Sequence, residues 1–100
     1  MVMFISCEEA KRLIKEKKAQ LVDVRTPEEF ESCKLPGAVN LPLQSIDYMG
    51  VHRLSKESPV VVFCRSGQRS QMAMQILLSQ GFNEVYNLGS YKAWRECPEG

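Results

Sequence analysis

The clearest candidate for chemistry is a cysteine followed by a short polar loop, Cys64-Arg65-Ser66-Gly67-Gln68-Arg69. Gly67 permits a positive φ, so successive backbone N–H groups of the loop can turn toward one point and bind an anion. The two arginines add permanent positive charge within five residues of the sulfur. Each feature favours the thiolate, which is the nucleophilic form of cysteine. The segment therefore predicts a nucleophile of low pKa at Cys64.

The sequence on either side of Cys64 predicts the elements that position it. Residues 60–63 form an unbroken β-branched and aromatic run, which is typical of a strand buried on both faces of a parallel sheet. After the loop, Ala73, Ile76 and Leu77 share the spacing of one helix face, and Gly81 follows as a helix terminator. Anion sites form beyond the carboxyl ends of such strands, where the positive end of a helix helps to bind them.

Shorter strands and helices alternate along the rest of the chain. Strands are predicted at residues 3–5, 21–24, 38–41 and 85–86. Helices are predicted to begin after Ser6 and Thr26, each followed three residues later by Glu, and again at Tyr91. Phe30 is the expected apolar anchor of the second helix, and residues 44–54 fit either a loop or a helical turn. The alternation predicts an α/β fold with a mainly parallel sheet.

Composition and charge limit the classes of function. The chain has 100 residues, 44% of them hydrophobic and 25% charged, which fits one core and hence a single domain over residues 1–100. A net charge of +1 argues against nucleic-acid or membrane-surface binding through bulk charge. The apolar runs are too short to cross a membrane, and residues 1–5 lack the pattern of a signal peptide. We therefore expect a cytoplasmic protein with no nucleic-acid or membrane partner.

The four cysteines, at positions 7, 33, 64 and 97, form no C-x-x-C pair. That spacing indicates neither a zinc site nor a dithiol pair, and the prediction includes no metal and no cofactor. Without a signal peptide, four reduced thiols are expected rather than two disulfides. Cys7, Cys33 and Cys97 are expected to be spectators of the chemistry at Cys64.

The only histidine, His52, lies in the ambiguous middle segment. A Cys/His dyad would require it to fold back onto Cys64, so chemistry without a strong general acid or base is favoured. Sulfur transfer meets that condition, because a thiolate can attack the outer sulfur of thiosulfate and release sulfite without protonating it. Two further sets are expected to be structural: Asp23 with Arg25 as a hydrogen-bonded pair, and Tyr91 with Trp94 as packing residues of the last helix.

Four stretches of the chain, at residues 21–30, 35–42, 64–70 and 81–94, share their pattern with a known family. They resemble the single-domain rhodaneses, which are thiosulfate sulfurtransferase-type proteins. The resemblance implies a rhodanese-like fold with helices on both faces of the sheet. It also implies that Cys64 is the catalytic residue and that the substrate is bound by Arg65, Ser66, Gly67, Gln68 and Arg69.

The resemblance further implies an activity. The chain would move sulfane sulfur from thiosulfate, or a similar small donor, to a thiol or cyanide acceptor through a persulfide on Cys64; the thiol can belong to a protein. Two departures from the family pattern are visible. Cys33-Lys34-Leu35 stands where Gly-His-Ile is frequent, and Gly89-Ser90 stands where Gly-Gly is frequent.

Several alternatives stay open from the sequence. A persulfide carrier between partner proteins would use the same residues. A phosphatase or arsenate reductase is disfavoured because four residues separate Cys64 from Arg69, where phosphatase loops have five. A non-catalytic binding module is disfavoured because the cysteine and the charges are retained. Cys33 or Cys97 could also resolve the persulfide as a disulfide with Cys64.

Overall fold

Among residues 4–97, which the computed structural model describes, five α-helices alternate with four β-strands. In chain order the elements are α1 (Cys7–Lys17), β1 (Gln20–Asp23), α2 (Pro27–Ser32), β2 (Val39–Asn40), a 3-10 turn (Leu43–Ser45), α3 (Ile46–Arg53), β3 (Val60–Cys64), α4 (Gln68–Ser79), β4 (Val85–Ser90) and α5 (Tyr91–Glu96). No helix within this range has the length and apolar character needed to cross a bilayer.

The four strands form one parallel sheet in the order β2-β1-β3-β4. The central strand β3 is buried at every position, as its run of apolar residues predicts. Asp23 at the end of β1 pairs with Phe63, so the segments that follow β1 and β3 leave the sheet at the same edge. The predicted α/β fold with a parallel sheet is confirmed.

Helices cover both faces of the sheet, which is also confirmed. On one face α3 and α4 contribute Ile46, Ala73 and Leu77 to a cluster with alternate residues of β3. On the other face α1 contributes Ala10 and Leu13, and the partly buried side chains of Tyr91 and Trp94 pack from α5. The predicted packing role of the two aromatic residues in α5 is therefore confirmed.

The helix boundaries follow the predicted capping residues. The Ser6 hydroxyl accepts the N–H of Glu9 at 3.0 Å, and α1 begins at Cys7. At α2, Thr26 and Glu29 each accept a hydrogen bond from the other's backbone N–H, which completes a capping box. Gly81 follows α4 with φ +96°, in the region that glycine enters without steric strain.

Three expectations about the elements need correction. Phe4 and Ile5 are not in a strand, although the Ile5 N–H donates to the Asn87 carbonyl at 3.0 Å; Met3 lies outside the described residues. Phe30 is only half-buried, because the short helix α2 is held by its caps and buries none of its residues. Finally, the last strand continues to Ser90, well past the predicted residue 86.

The expectation of four reduced thiols is wrong for Cys7 and Cys97, which form a disulfide with Cα atoms 5.9 Å apart. These residues are 90 positions apart in the sequence, but α1 and α5 pack on the same face of the sheet and bring them together. A cross-link over a loop of that length restricts the unfolded chain, which is worth about 4–5 kcal/mol in the loop-entropy account. Cys33 and Cys64 are the free thiols of residues 4–97.

Candidate active site

Cys64 is the last residue of β3, at the carboxyl edge of the sheet, and its side chain is fully buried. The strand ends there because the next two residues, Arg65 and Ser66, turn out to solvent before α4 begins at Gln68. The structure thus places the sulfur at the junction between a buried strand and the N-terminus of a helix. That is the location predicted from the sequence.

Hydrogen-bond donors surround the Cys64 sulfur. The Gly67 N–H donates to Sγ at 3.0 Å, and the Ser70 hydroxyl oxygen lies 3.5 Å from Sγ. Burial raises the pKa of Cys64, but hydrogen bonds from the Ser70 hydroxyl and from three backbone N–H groups lower it by more. Those N–H groups belong to Ser70, Gly67 and Ser66. The pKa of Cys64 consequently lies below its usual value, which favours the thiolate.

Gly67 shapes this anion site through its backbone. It is the N-cap of α4 with φ +100°, and it offers no side chain to accept from the first N–H groups of the helix. At most helix starts a Ser, Thr, Asp or Asn side chain does so. Here the Cys64 sulfur takes that role, since it accepts the N–H of Ser70, the third residue of α4, in addition to the Gly67 N–H. The positive end of the helix is thereby directed at the sulfur.

A buried hydrogen-bond network behind the loop is centred on Asn87 of β4, which is 1% exposed. Its carboxamide oxygen accepts from the Ser70 hydroxyl at 2.6 Å and from the Gly89 N–H at 2.8 Å. Its Nδ2 donates to the Gly67 carbonyl at 3.2 Å. The Ser70 hydroxyl has one proton, which it can donate either to Asn87 or to the Cys64 sulfur, and the contact with Asn87 is the shorter one. The network therefore supports the loop.

The aromatic ring of Phe4 lies against the backbone of the loop. A Cβ atom added at Gly67 would collide with this ring, and one added at Gly89 would come within 2.9 Å of it. Both glycines have positive φ, a conformation that residues with a side chain rarely adopt. Because they have no Cβ, their backbone can also lie close to the ring. The Phe4 side chain is half exposed and covers the outer side of the site.

The two arginines of the loop lie in different surroundings. Arg65 is exposed. Arg69 turns away to Glu29 of α2 and donates to both carboxylate oxygens, at 2.7 and 3.1 Å. The hydrogen bond from Arg69 is the main cause that lowers the pKa of Glu29 to about 2. Arg69 therefore lies in an ion pair, and its assignment to substrate binding, like that of Arg65, stays a prediction.

Asp23 and Arg25, at the neighbouring junction, form the predicted structural pair. Both are buried, and the guanidinium donates to the two carboxylate oxygens at 3.0 and 2.7 Å. Arg25 also donates to the Cys33 carbonyl at 2.6 Å and lies 4.6 Å from the centre of the Tyr91 ring. Its bonding capacity is used within the protein, which fits a structural role.

The remaining candidates lie away from the sulfur or contact other groups. His52 is exposed in the last turn of α3. Its neighbour Arg53 and Gln20 line a cavity of about 310 Å³. This cavity lies at the opposite end of the sheet from Cys64. The half-buried Cys33 sulfur accepts a hydrogen bond from Arg95 at 3.3 Å. Within residues 4–97 no three His, Cys, Asp or Glu side chains are grouped to hold a metal ion.

Sequence reasoning found the loop but missed three residues around it. Ser70, Asn87 and Phe4 contact either the sulfur or the loop that holds it. Asn87 carried a signal, because a polar residue inside a buried strand must find hydrogen-bond partners. Nothing in the sequence around Phe4 indicates its contact with Gly67, which depends on where the fold places the Phe4 ring.

Loop N–H groups hold the sulfur of a cysteine at the carboxyl edge of a parallel sheet. Such an arrangement stabilises the thiolate and can bind an anion beside it. The chain matches the rhodanese-like domain family over residues 6–97 and belongs to that family. The resemblance seen in the sequence is thus confirmed.

Known relatives include named sulfurtransferases. The chain is 42% identical over 89 residues to the thiosulfate sulfurtransferase GlpE of Pseudomonas syringae pv. syringae, covering 87% of this chain and 82% of that protein. It is 40% identical over 79 residues to the uncharacterised protein YqhL of Bacillus subtilis, covering 78% of this chain but only 62% of that protein. The human single-domain sulfurtransferase TSTD1 superposes with a TM-score of 0.76 at 28% identity, covering 96% and 97% of the two chains.

Proposed function

We propose that the protein is a sulfurtransferase that moves sulfane sulfur from thiosulfate or a similar donor to a thiol or cyanide acceptor. In this proposal Cys64 is the nucleophile that carries the sulfur as a persulfide, and the acceptor thiol can belong to a protein. The observation that carries the proposal is the 3.0 Å hydrogen bond from the Gly67 N–H to the Cys64 sulfur. A group placed this way stabilises negative charge on the sulfur without a metal or a general base.

The reaction balances with the groups present. The Cys64 thiolate attacks the outer sulfur of thiosulfate and forms a new S–S bond. The bond between the two donor sulfurs breaks, and its electron pair leaves on sulfite. Because sulfite is a stable anion at neutral pH, no acid is needed to protonate it. The persulfide then passes its outer sulfur to the acceptor and returns Cys64 as a thiolate.

The loop supports sulfur transfer better than phosphate-ester hydrolysis. A phosphatase needs a cation for the phosphoryl oxygens and commonly an acid for the leaving alkoxide. Arg69 donates to Glu29 instead, and His52 lies at the other end of the sheet. The four-residue spacing between Cys64 and Arg69 also makes a smaller loop than the five-residue spacing of phosphatases.

Mass spectrometry of the loaded protein tests the proposal. The protein is incubated with thiosulfate, freed of excess donor, and digested without reductant. We expect the peptide that contains Cys64 to gain one sulfur atom and to lose it when cyanide or glutathione is added. The matched control is Cys33→Ser, which removes the other free thiol and should load normally, whereas Cys64→Ala should not. A Cys64 peptide that gains no sulfur contradicts the proposal.

A further inference from the structure

A cavity of about 310 Å³ lies at the amino end of the sheet, away from Cys64. It forms because β1 begins before its neighbour β2. Val39, the first residue of β2, pairs with Val22, so Gln20 and Leu21 of β1 extend past the start of β2. The chain that leads into β2 borders this gap, and a Cβ atom added at Gly37 would meet no atom within 4 Å. The register of the two strands therefore leaves an open space between them.

The lining of this cavity is mostly apolar. Six apolar side chains form most of it: Ile14, Ala19, Leu21, Val39, Leu54 and Trp94. An apolar lining binds the apolar part of a ligand, because both surfaces are then removed from water. The volume lies at the lower end of the range for small-molecule sites, so the lining suits a small ligand.

Two polar side chains also line the cavity, and they differ in what is left for a ligand. The Gln20 carboxamide is used within the protein, since its Nε2 donates to the Ser55 carbonyl at 2.9 Å and its Oε1 accepts the Ser55 N–H at 2.8 Å. Arg53 is exposed and forms no salt bridge to any residue within 4–97. The guanidinium of Arg53 is therefore the polar group that a ligand can use.

The charges around the cavity favour an anion. Among the described residues, no acidic side chain lines it. Helix α3 ends at Arg53, but the negative end of a helix is equivalent to about half a charge and does not cancel the guanidinium. Lys18, which precedes the lining residue Ala19, is exposed and also lacks a salt bridge in the described part of the chain. A ligand with an apolar body and one negative charge matches both the lining and its charge.

We propose that this cavity binds a small organic acid, with the apolar body of the acid in the cavity and its carboxylate at Arg53. A carboxylate and a planar guanidinium form charge-assisted hydrogen bonds. The site is separate from the Cys64 loop: Gln20 pairs with Val60 at the start of β3, whereas Cys64 ends that strand roughly 13 Å further along. The inference therefore does not depend on sulfur transfer.

The fluorescence of Trp94 tests the inference, because Trp94 is the only tryptophan of the chain and lines the cavity. The probes are octanoate, kept below its micellar concentration, and 1-octanol, which has the same chain length and no charge. We expect octanoate to change the emission saturably, and titration calorimetry to give the same Kd. Arg53→Gln should weaken octanoate binding roughly threefold to fivefold, the upper part of the range for an exposed ion pair, and should leave 1-octanol binding nearly unchanged.

Two further variants separate this effect from bulk charge and from folding. Lys56→Gln removes the same charge from an exposed position outside the cavity, where the ammonium lies 5.9 Å from the centre of the Phe82 ring, and should leave octanoate binding unchanged. Val39→Asp adds a negative charge to the lining at a position that is 41% exposed, so no charge has to be buried. It should weaken the binding of octanoate more than that of 1-octanol.

Several results would overturn the inference. One is the absence of saturable octanoate binding in both fluorescence and calorimetry. Another is an equal effect of Arg53→Gln on the two probes, or an effect of Lys56→Gln on octanoate as large as that of Arg53→Gln. Cys64→Ala should bind octanoate like the wild type, and weaker binding in that variant would contradict a site separate from the loop. None of these results bears on whether Cys64 accepts sulfur, so the two proposals can fail independently.

Discussion

Two strand-to-helix junctions lie side by side at the carboxyl edge of the sheet, and they satisfy their helix N-termini differently. At the junction of β1 and α2, the Thr26 side chain accepts the N–H of Glu29, the third residue of the helix, at 3.2 Å. At the junction of β3 and α4, Gly67 has no side chain, and the Cys64 sulfur accepts the N–H of Ser70, the third residue of the helix, and the N–H of Gly67 itself. The first junction is closed by its own side chains, whereas the second directs its donors at a reactive atom.

The charges at the two junctions differ in the same way. Arg25 and Asp23 neutralise each other in a buried pair, so the charged side chains of the first junction have no net charge. At the second junction, hydrogen bonds from Ser70, Gly67 and Ser66 lower the pKa of Cys64. The same N–H groups can donate to the outer sulfur of a persulfide when the negative charge moves from the Cys64 sulfur to that atom. The comparison indicates that the first junction provides stability, whereas in the proposed function the second provides the chemistry.

The largest effect should come from breaking the buried pair of the first junction. Asp23→Asn leaves the Arg25 guanidinium buried without a counter-charge, which lowers the free energy of unfolding by about 3 kcal/mol or more. Urea denaturation measures the loss. Asp47→Asn, at an exposed position of α3, is the matched control and should change stability little. A loss below about 1 kcal/mol for Asp23→Asn would show that the pair is not structurally important.

Gly67→Ala should damage the second junction, mainly in activity. Alanine at φ +100° costs about 1–2 kcal/mol, and its Cβ would collide with the Phe4 ring. A displaced N–H should lower the rate of sulfur transfer on the order of 100-fold. Gly81→Ala is the control, since Gly81 has φ +96° but lies at the far end of α4. Equal activity losses in the two variants would contradict a special role for Gly67.

Thr26→Ala removes the side-chain cap of the first junction. We expect the free energy of unfolding to fall by about 1 kcal/mol, with the pKa of Cys64 unchanged. Thr26→Ser keeps the hydroxyl and should restore most of the stability in thermal denaturation. If Thr26→Ala shifted the pKa of Cys64, the two junctions would be coupled, and the division between stability and chemistry would be wrong.

The smallest change is expected from Ser70→Ala, which removes one of several hydrogen bonds to the sulfur. The pKa of Cys64 should rise, because the thiolate loses the Ser70 hydroxyl as a donor. Ser79→Ala is the control on the same helix, since that hydroxyl donates to the Ile76 carbonyl far from the site. An unchanged or lower pKa in Ser70→Ala would mean that the hydroxyl donates only to Asn87.

The features that sequence reasoning predicted are those set by neighbouring residues. The caps at Ser6 and Thr26, the turn at Gly67 and the buried strand before Cys64 each depend on a few consecutive residues. Local rules of propensity and capping are therefore sufficient to find them. The position of the candidate site at the sheet edge follows from the same rules.

The features that sequence reasoning missed join residues that are distant in the sequence. The Cys7–Cys97 disulfide spans 90 positions, and the ion pair of Arg69 with Glu29 spans 40. Both depend on which helices pack side by side, and no local pattern encodes that. The pairing of Arg69 matters most for the candidate site, because it connects the helix after the Cys64 loop to α2.

The central claim is that the loop holds Cys64 as a thiolate, and the ultraviolet absorbance of the thiolate as a function of pH tests it most directly. The titration uses Cys33→Ser, with Cys33→Ser/Cys64→Ser as the blank, so that the difference reports on Cys64 alone. Our account predicts a midpoint clearly below the pKa of about 8.5 of a free cysteine. It also predicts that sulfur loading rises with pH through that midpoint and then levels off. A midpoint at or above the free-cysteine value would contradict the account.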